Sequence, residues 1–457
     1  MNKRMELLVN HLKEYGFVFQ GSQIYGGLSN SWDYGPLGAQ LKNRLQHLWW
    51  ERFVTKHPLN VGLDSVIIMN SSVWKASGHL DNFYDLFVDC KSCIKRFRVD
   101  HLLNNVTVDF QKLRADELQV LLKEHQVVCS NCKNNNFTAV RSFDLMFKTQ
   151  QGVLANEQGV VYLRPETAQG IFVNFKNIQR SLRKKLPFGV GQIGKVFRNE
   201  ITPGHFIFRT REFEQMELEF FFNPNDQTEW FDYWLSYCQQ FLLDIGIKQD
   251  NFSLNEHEDS VLAHYAKRTV DIEYNFPFGK QELWGISNRS SFDLKTHSEH
   301  SGEDLSYLDS ELNAKIFANV IEPSVGVGRL MLAILNDAYD VEILPDNSKR
   351  TILRLNHNLA PYYIAILPLS KQLNEEAYKL YEELANDFLA TYDETQNIGK
   401  RYRRQDAIGT PYCITIDFKS LKRWRRSVTV RFRDTMVQKR VKVRKLRKYL
   451  KHLQEQN

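Results

Sequence analysis

The stretch VFRNEITPGHFIFRTREFEQME, residues 196–217, decides the fold. It opens as an apolar strand, turns at Pro203 and Gly204, and returns as a second strand. Arg198 lies on the first strand, and Arg209 and Arg211 begin the return. One loop thus brings several guanidiniums towards one site. Such a cluster suits a polyphosphate, because the planar arginine fork grips oxyanions bidentately. Phe208 and Phe213 are placed to stack on a purine. A plain hairpin with mixed surface charge has the same pattern, so the reading needs support from elsewhere in the chain.

That support comes from IEPSVGVGRLMLAIL, residues 321–335. A turn bearing Gly326 and Gly328 runs into an amphipathic helix that Arg329 opens. Glycines there let the backbone approach a ligand closely. The stretch is no phosphate-binding loop of the Gly-Lys-Ser/Thr kind, and no third glycine completes a dinucleotide fingerprint.

Working outward, short apolar stretches alternate with turns over 160–222, which predicts antiparallel strands. One helix, about 168–184, interrupts them. Periodicity predicts further helices over 40–54, 229–244 and 326–336, and strands at 65–69 and 279–293. At 341–355 the pattern breaks into Pro, Asn and basic residues, which reads as a linker near 340–360. Beyond it strands at 362–367, 412–417 and 427–432 and a helix at 374–389 predict a small α/β domain with a mixed sheet.

Composition bounds the rest. The chain has 457 residues, 42% hydrophobic and 25% charged, which is ordinary for a globular protein of two or three domains. No apolar run approaches the roughly 20 residues of a membrane span. Residues 1–15 alternate charge with apolar side chains and do not look like a signal peptide. The expected setting is the cytoplasm, with no membrane partner. The net charge is +6, yet residues 421–457 hold fourteen Lys and Arg against two acids, or +12, which leaves −6 for the other 420. A basic end on an acidic body suggests a polyanion partner, and Trp424, Phe432 and Tyr449 interleave with the basic residues. A solvated terminal helix has the same composition.

Cys90 and Cys93 form one C-x-x-C pair, and Cys129 and Cys132 another. Two such pairs can offer four thiolates to a tetrahedral structural zinc ion. Four ordinary thiols remain the alternative. Cys238 and Cys413 stand alone in apolar surroundings and read as core residues.

The two opening stretches, in this order, resemble motifs 2 and 3 of the class II aminoacyl-tRNA synthetases. The fuller resemblance is to the homodimeric glycyl-tRNA synthetase family. It rests on RPETAQG at 164–170, FRTREF at 208–213, EPSVG at 322–326, GLSNSWDYGPLG at 27–38 and IGKRYRRQD at 398–406, and covers nearly the whole chain. It implies an α+β fold: a six-stranded antiparallel sheet flanked by helices over 1–345, with a cysteine-bearing insertion at about 88–142. An α/β anticodon-binding domain is expected over 346–457. One departure is that the first class II motif usually carries a proline on its strand, and DSVIIMN at 64–70 has none.

The resemblance implies activation of glycine by ATP with Mg²⁺, then transfer to tRNA(Gly). By motif, Arg198 meets the α-phosphate, Arg329 the γ-phosphate and Glu200 the adenine edge, while Phe213 stacks on the base. Asn199, Phe208, Arg209, Thr210, Arg211, Glu212, Glu282, Leu283, Gly326, Val327 and Gly328 complete the expected ATP site. Glu282 is the expected Mg²⁺ carboxylate, and Arg289 is a weaker ATP candidate. For glycine, Glu166, Glu217, Glu322 and Ser324 are implied around the ammonium. Arg98, Phe213, Glu214, Gln215, Met216, Pro323, Val325 and Gly326 accompany them. Lys400, Arg401, Arg403 and Arg404 fit phosphate contacts, and Asp406 and Asp417 are candidate cytosine readers. A sister synthetase for threonine, proline or histidine is the competing enzyme; WKASGH at 74–79 is similar to a segment of the threonyl enzyme. A catalytically dead accessory subunit is the competing binding protein, and such relatives lose the arginines at the positions of Arg198 and Arg329.

Overall fold

A computed structural model describes residues 2–103, 113–152, 159–258, 262–263, 265–309, 313–421 and 426–456. Trp424 lies outside the described residues.

Helix α1 (Lys3–Glu14) leads to α2 (Pro36–Trp50), which starts at a proline whose fixed φ suits a first helical position. Leu37, Leu41, Leu45 and Trp49 of α2 are buried at helical spacing. They pack on a seven-stranded sheet of β1 (Asn60–Gly62), β2 (Phe188–Phe197), β3 (Glu212–Phe222), β4 (Phe252–Glu256), β5 (Arg268–Phe276), β6 (Gly279–Ser290) and β7 (Asn319–Gly326). The order across it is β4-β5-β6-β7-β3-β2-β1. The six strands β4 to β2 pair antiparallel, as predicted. The seventh, β1, was not foreseen; it runs parallel to β2 at the edge.

Alternation on β3 assigns the two faces. Met216, Leu218 and Phe220 join the main core with Trp49, Phe53, Trp234 and Trp284. That core lies between the sheet and α2, α4 (Trp230–Asp244) and α6 (Val327–Ala338). The approach is close: a Cβ on Gly191 of β2 would meet a Val54 methyl at 2.6 Å. On the opposite face, Phe188, Val190 and Phe221 pack against α3 (Ala168–Val173) and Leu294 of α5 (Phe292–Ser301). The rest of that face is open and carries the cleft.

Several expectations fail locally. The helix expected over 168–184 is two helices that break at Asn174, the second being Phe175–Ser181. Residues 65–69 make no strand; Ile68 forms one isolated bridge with Leu163. β1 already occupies the sheet edge, and Val66 and Ile68 are left exposed. The expected linker near 340–360 is a hairpin, β8 (Tyr339–Ile343) with β9 (Lys349–Leu353), so residue 345 lies in the turn between two paired strands. Leu353 and Leu355 join the main core, which is why the polar pattern around them misled.

The insertion is a three-stranded antiparallel sheet of Arg96–Arg98, Tyr84–Asp89 and Arg141–Asp144, with the helix Ala115–Glu124. The C-terminal domain has its own sheet: β10 (Ile364–Pro368), β11 (Ala390–Tyr392), β12 (Tyr412–Ile416), β13 (Ser427–Phe432) and β14 (Gln438–Lys442). Its order is β11-β10-β12-β13-β14, parallel on one side of β12 and antiparallel on the other, the mixed sheet expected. Helices α7 (Asn374–Ala385), α8 (Ile398–Ile408) and α9 (Val443–Glu455) cover it.

Candidate active site

The open face of β3, β5, β6 and β7 bears a cleft of about 270 Å³, with Arg198 and Glu200 reaching it from just beyond β2. Period-two alternation decides who reaches it. On β3, Phe213, Gln215 and Glu217 line the cleft; on β7, Glu322, Ser324 and Gly326 do; on β6, Gly285 and Ser287 do. Register ties these together, since Glu217 pairs with Ser324, Gly285 with Ser324 and Ser287 with Glu322.

At one end the cleft is anionic. Glu217 accepts from the Thr167 amide at 2.9 Å, from the Thr167 hydroxyl, and from the Ser324 hydroxyl at 2.7 Å. Glu166 lies 3.4 Å from His79 Nε2 and accepts from Gln169 at 2.9 Å. Burial pushes its carboxyl up, but His79, Arg289 and the Gln169 bond outweigh this and hold it well below the usual range. Glu322 accepts from Arg289 Nη1 at 2.7 Å. Burial nevertheless raises it to about 8, opposed by Arg289 and aided by Glu217 and Glu166.

Arg289 itself is 2% exposed and grips Asp293 with Nε and Nη2, both at 2.8 Å. The Tyr265 ring covers its guanidinium at 3.9 Å. This corrects the expectation that Arg289 meets ATP: it is sealed beneath the carboxylates and orients Glu322.

The other end is cationic and aromatic. Arg198 donates to the Pro165 carbonyl at 3.0 Å and sits 5.5 Å from the Phe213 ring centre. Arg329 pairs with Glu282 at 2.9 Å and lies over Phe208 at 4.6 Å. The Arg329 charge is the main reason the Glu282 carboxyl is lowered. Arg209 approaches Glu200 at 4.0 Å, and Thr210 lines the cleft beside them. Gly328 lets α6 reach the 204–209 loop, because a Cβ there would meet the Ile207 carbonyl at 2.6 Å.

Other expected residues face elsewhere. Met216, Leu283, Val325 and Val327 point into the core, and Pro323 alternates with Glu322 and is buried. Glu212 turns outward to Lys195, and Glu214 binds Lys42 at 2.6 Å. Asn199 and Arg211 contribute backbone bonds, to Leu145 and Arg198 respectively, and are absent from the lining. Arg98 binds Asp85 and Asp100 in the insertion, close enough to Glu200 of the cleft for their charges to interact. In the opposite direction, His257, Tyr265, Asp271, Gly285 and Ser287 line the cleft without having been singled out. The alternation of Gly285, Ser287 and Arg289 against buried Trp284 and Ile286 was the available signal.

In the insertion the four cysteine sulfurs lie within 4.8 Å of one another, with Cys90–Cys132 and Cys93–Cys129 both at 3.6 Å. Four thiolates tetrahedral about zinc at 2.3 Å stand about 3.8 Å apart, so the donor set fits that ion.

The C-terminal candidates divide. Asp406 is 1% exposed and bound by Arg350 and Arg431, so it is no surface base reader. Arg401 is buried among the carbonyls of Pro368, Glu394 and Gln396, and Arg404 pairs with Asp393. Lys400 and Arg403 remain towards solvent. Asp417 lies beyond the end of β12 and binds Arg440. Helix α9 buries Leu446 and Leu450 and turns its basic residues outward.

Residues 148–338 match the family model of the tRNA synthetase class II core domain (G, H, P, S and T), and 363–453 match that of the anticodon binding domain. A prolyl-tRNA synthetase from Cryptosporidium parvum superposes with a TM-score of 0.62 at 12% identity, covering 98% of this chain and 75% of that one, which speaks for the fold. Sheet, cleft and core family together are those of a class II aminoacyl-tRNA synthetase. A glycine–tRNA ligase of Mycoplasma mycoides subsp. mycoides is 58% identical over 453 residues, covering 98% of this chain and 99% of its own length. One from Geobacillus kaustophilus is 54% identical over 452 residues, with 98% of both chains covered. The chain belongs to the glycine–tRNA ligase family.

Proposed function

We propose that the cleft joins glycine to ATP and passes the glycyl group to tRNA(Gly), with the anionic end as the amino-acid pocket. Glu166, Glu217 and Glu322 converge there, and this convergence carries the reading. Glycine offers no side chain to grasp, so recognition falls to its ammonium, and charge-assisted hydrogen bonds to carboxylates suit that task. Crowding at Cα rejects a larger amino acid.

ATP takes the cationic end, with its base against Phe213 and its phosphates along Arg198, Arg209 and Arg329. The glycine carboxylate oxygen forms a bond to the α-phosphorus as the bond to pyrophosphate breaks. A terminal ribose hydroxyl of the tRNA then attacks the glycyl carbonyl, and AMP leaves. Arg198 and Arg329 neutralise charge that grows on the phosphates, and the carboxylates hold the nucleophile in line. Glu282 and Asp271, which both line the cleft, would supply oxygen ligands to a phosphate-bound Mg²⁺. When bound, that ion neutralises phosphate charge.

ATP–pyrophosphate exchange with each amino acid in turn tests the assignment. Exchange with glycine is expected; exchange with threonine and none with glycine overturns it. The cysteine cluster is assigned to structural zinc, and metal analysis that finds none removes it. The C-terminal domain takes the anticodon end of the tRNA. Exposed Val66 and Ile68 support a homodimer contact, which sedimentation tests. A cytoplasmic setting follows from this role.

A further inference from the structure

Glu219 of β3 has no part in the reaction as described, yet it lies on the same face as Glu217. It is completely buried, and neither of its carboxyl oxygens has a hydrogen-bond partner. Glu217 pairs with Ser324 and Phe220 with Ile321, so Glu219 stands opposite Glu322 across the β3–β7 ladder. The charged groups facing it are Glu217 from its own strand, Glu322 from β7, Arg289 from β6 and Asp293 from α5. Its β2 neighbour is Val190. Of these charged groups only Arg289 is a cation, and Arg289 is already committed to Asp293 and Glu322.

Two like charges directly opposite in a dry site repel, and such a pair retains a proton. Burial is the main cause that lifts Glu219 well above the carboxylate range, and Glu322 adds to it. Glu322 is raised as well, to about 8, but of the two only Glu322 accepts from Arg289, so Glu219 is the harder to ionise.

We propose that Glu219 is a positioning residue for glycine: facing Glu322 across the ladder, it keeps the pair protonated in the unliganded enzyme, and entry of the glycine ammonium expels one proton to solvent. The proposal rests on the reading of the carboxylate end as the glycine pocket. The incoming positive charge takes the place of the proton, so the pocket changes little in net charge. An uncharged ligand of the same shape has no means to expel it. Glycine affinity therefore falls as pH drops through the titration of the pair, because more of the free enzyme then carries the proton that glycine must expel.

Calorimetric titration of the full-length enzyme with glycine, near neutral pH in phosphate and in Tris, counts the proton through the buffers' different heats of ionisation. The wild-type chain is expected to release about one proton per glycine bound. Glu219→Gln is expected to release clearly less than the wild-type chain while still binding glycine. Correspondingly, the wild-type KM for glycine rises about tenfold per pH unit below the titration of the pair, and Glu219→Gln flattens that slope. A merely structural role moves neither the proton count nor the slope. Binding without proton release in the wild-type chain, or undiminished release in Glu219→Gln, overturns the proposal and leaves the glycine assignment standing. If glycine neither binds nor supports exchange, the substrate reading falls and takes this inference with it. Should Glu219→Gln fail to fold, the wild-type proton count and pH slope decide alone.

Discussion

Two of the buried clusters of charge among the described residues are built differently. In the C-terminal domain Asp406 binds Arg350 and Arg431, while Glu342 binds Arg350 again. Arg354 adds a further cation on Glu342, and every charge is answered. Under the cleft, Arg289 stands against Glu166, Glu217, Glu219, Glu322 and Asp293. Five carboxyls share one guanidinium and the His79 ring beside Glu166. The balanced cluster ties β9, α8 and β13 together and needs nothing more. The unbalanced one is short of positive charge on the side that opens to solvent. An isolated buried charge is costly, so a surplus of one sign beside a cleft marks where a ligand of the other sign completes the set.

The cationic end of the cleft gives the largest expected effect. Arg329 has Glu282 as its acidic partner and otherwise faces the space assigned to phosphates. Arg329→Ala should slow glycine-dependent ATP–pyrophosphate exchange by about 10²–10³-fold, with little change in unfolding midpoint. Unchanged exchange would remove it from the site.

The two buried clusters should then respond in opposite ways. Asp406→Ala strands two guanidiniums and should cost about 3–5 kcal/mol of stability, read by chemical denaturation. It should leave the KM for glycine alone wherever the protein remains folded. Glu166→Gln gives up a charge that His79, Arg289 and Gln169 favour but strands no cation among bare carboxylates, so its stability loss should be well below that of Asp406→Ala. Its KM for glycine should increase about 10–100-fold, with the KM for ATP nearly constant. A stability loss in Glu166→Gln like that of Asp406→Ala would erase the distinction between the clusters.

What the sequence disclosed and what it withheld follow the same line. The hairpin over 196–217 and the turn at Gly326 into α6 were readable because each is local. Arg198, Phe213 and Arg329 follow from them. The balance of a buried cluster is not local. Asp406 and Arg401 looked like surface groups for tRNA, and Arg289 looked like a phosphate ligand, because a string of residues does not say which charges meet. Glu166, Glu217 and Glu322 came through family motifs, and their convergence depends on strand register. Glu219 was overlooked although it lies two residues beyond Glu217, hence on the same face. Residues 65–69 show the reverse error: an apolar run fitted a strand, but the sheet edge beside it was already taken by Asn60–Gly62.

The smallest effect tests the alternation on which all of this stands. Glu212 and Glu214 lie within the motif whose neighbours Phe213 and Gln215 line the cleft. A strand turns successive side chains to opposite faces, and Glu212 accordingly meets Lys195 at an exposed position on the far side. An exposed ion pair of this kind contributes about 0–1 kcal/mol. Glu212→Ala should therefore change stability by no more than that and leave both KM values and the exchange rate as they are. A marked rise in the KM for glycine or ATP would mean that β3 presents its other face to the substrates. The register placing Glu217, Glu219 and Glu322 together would then be wrong, and the contrast between the two clusters would go with it.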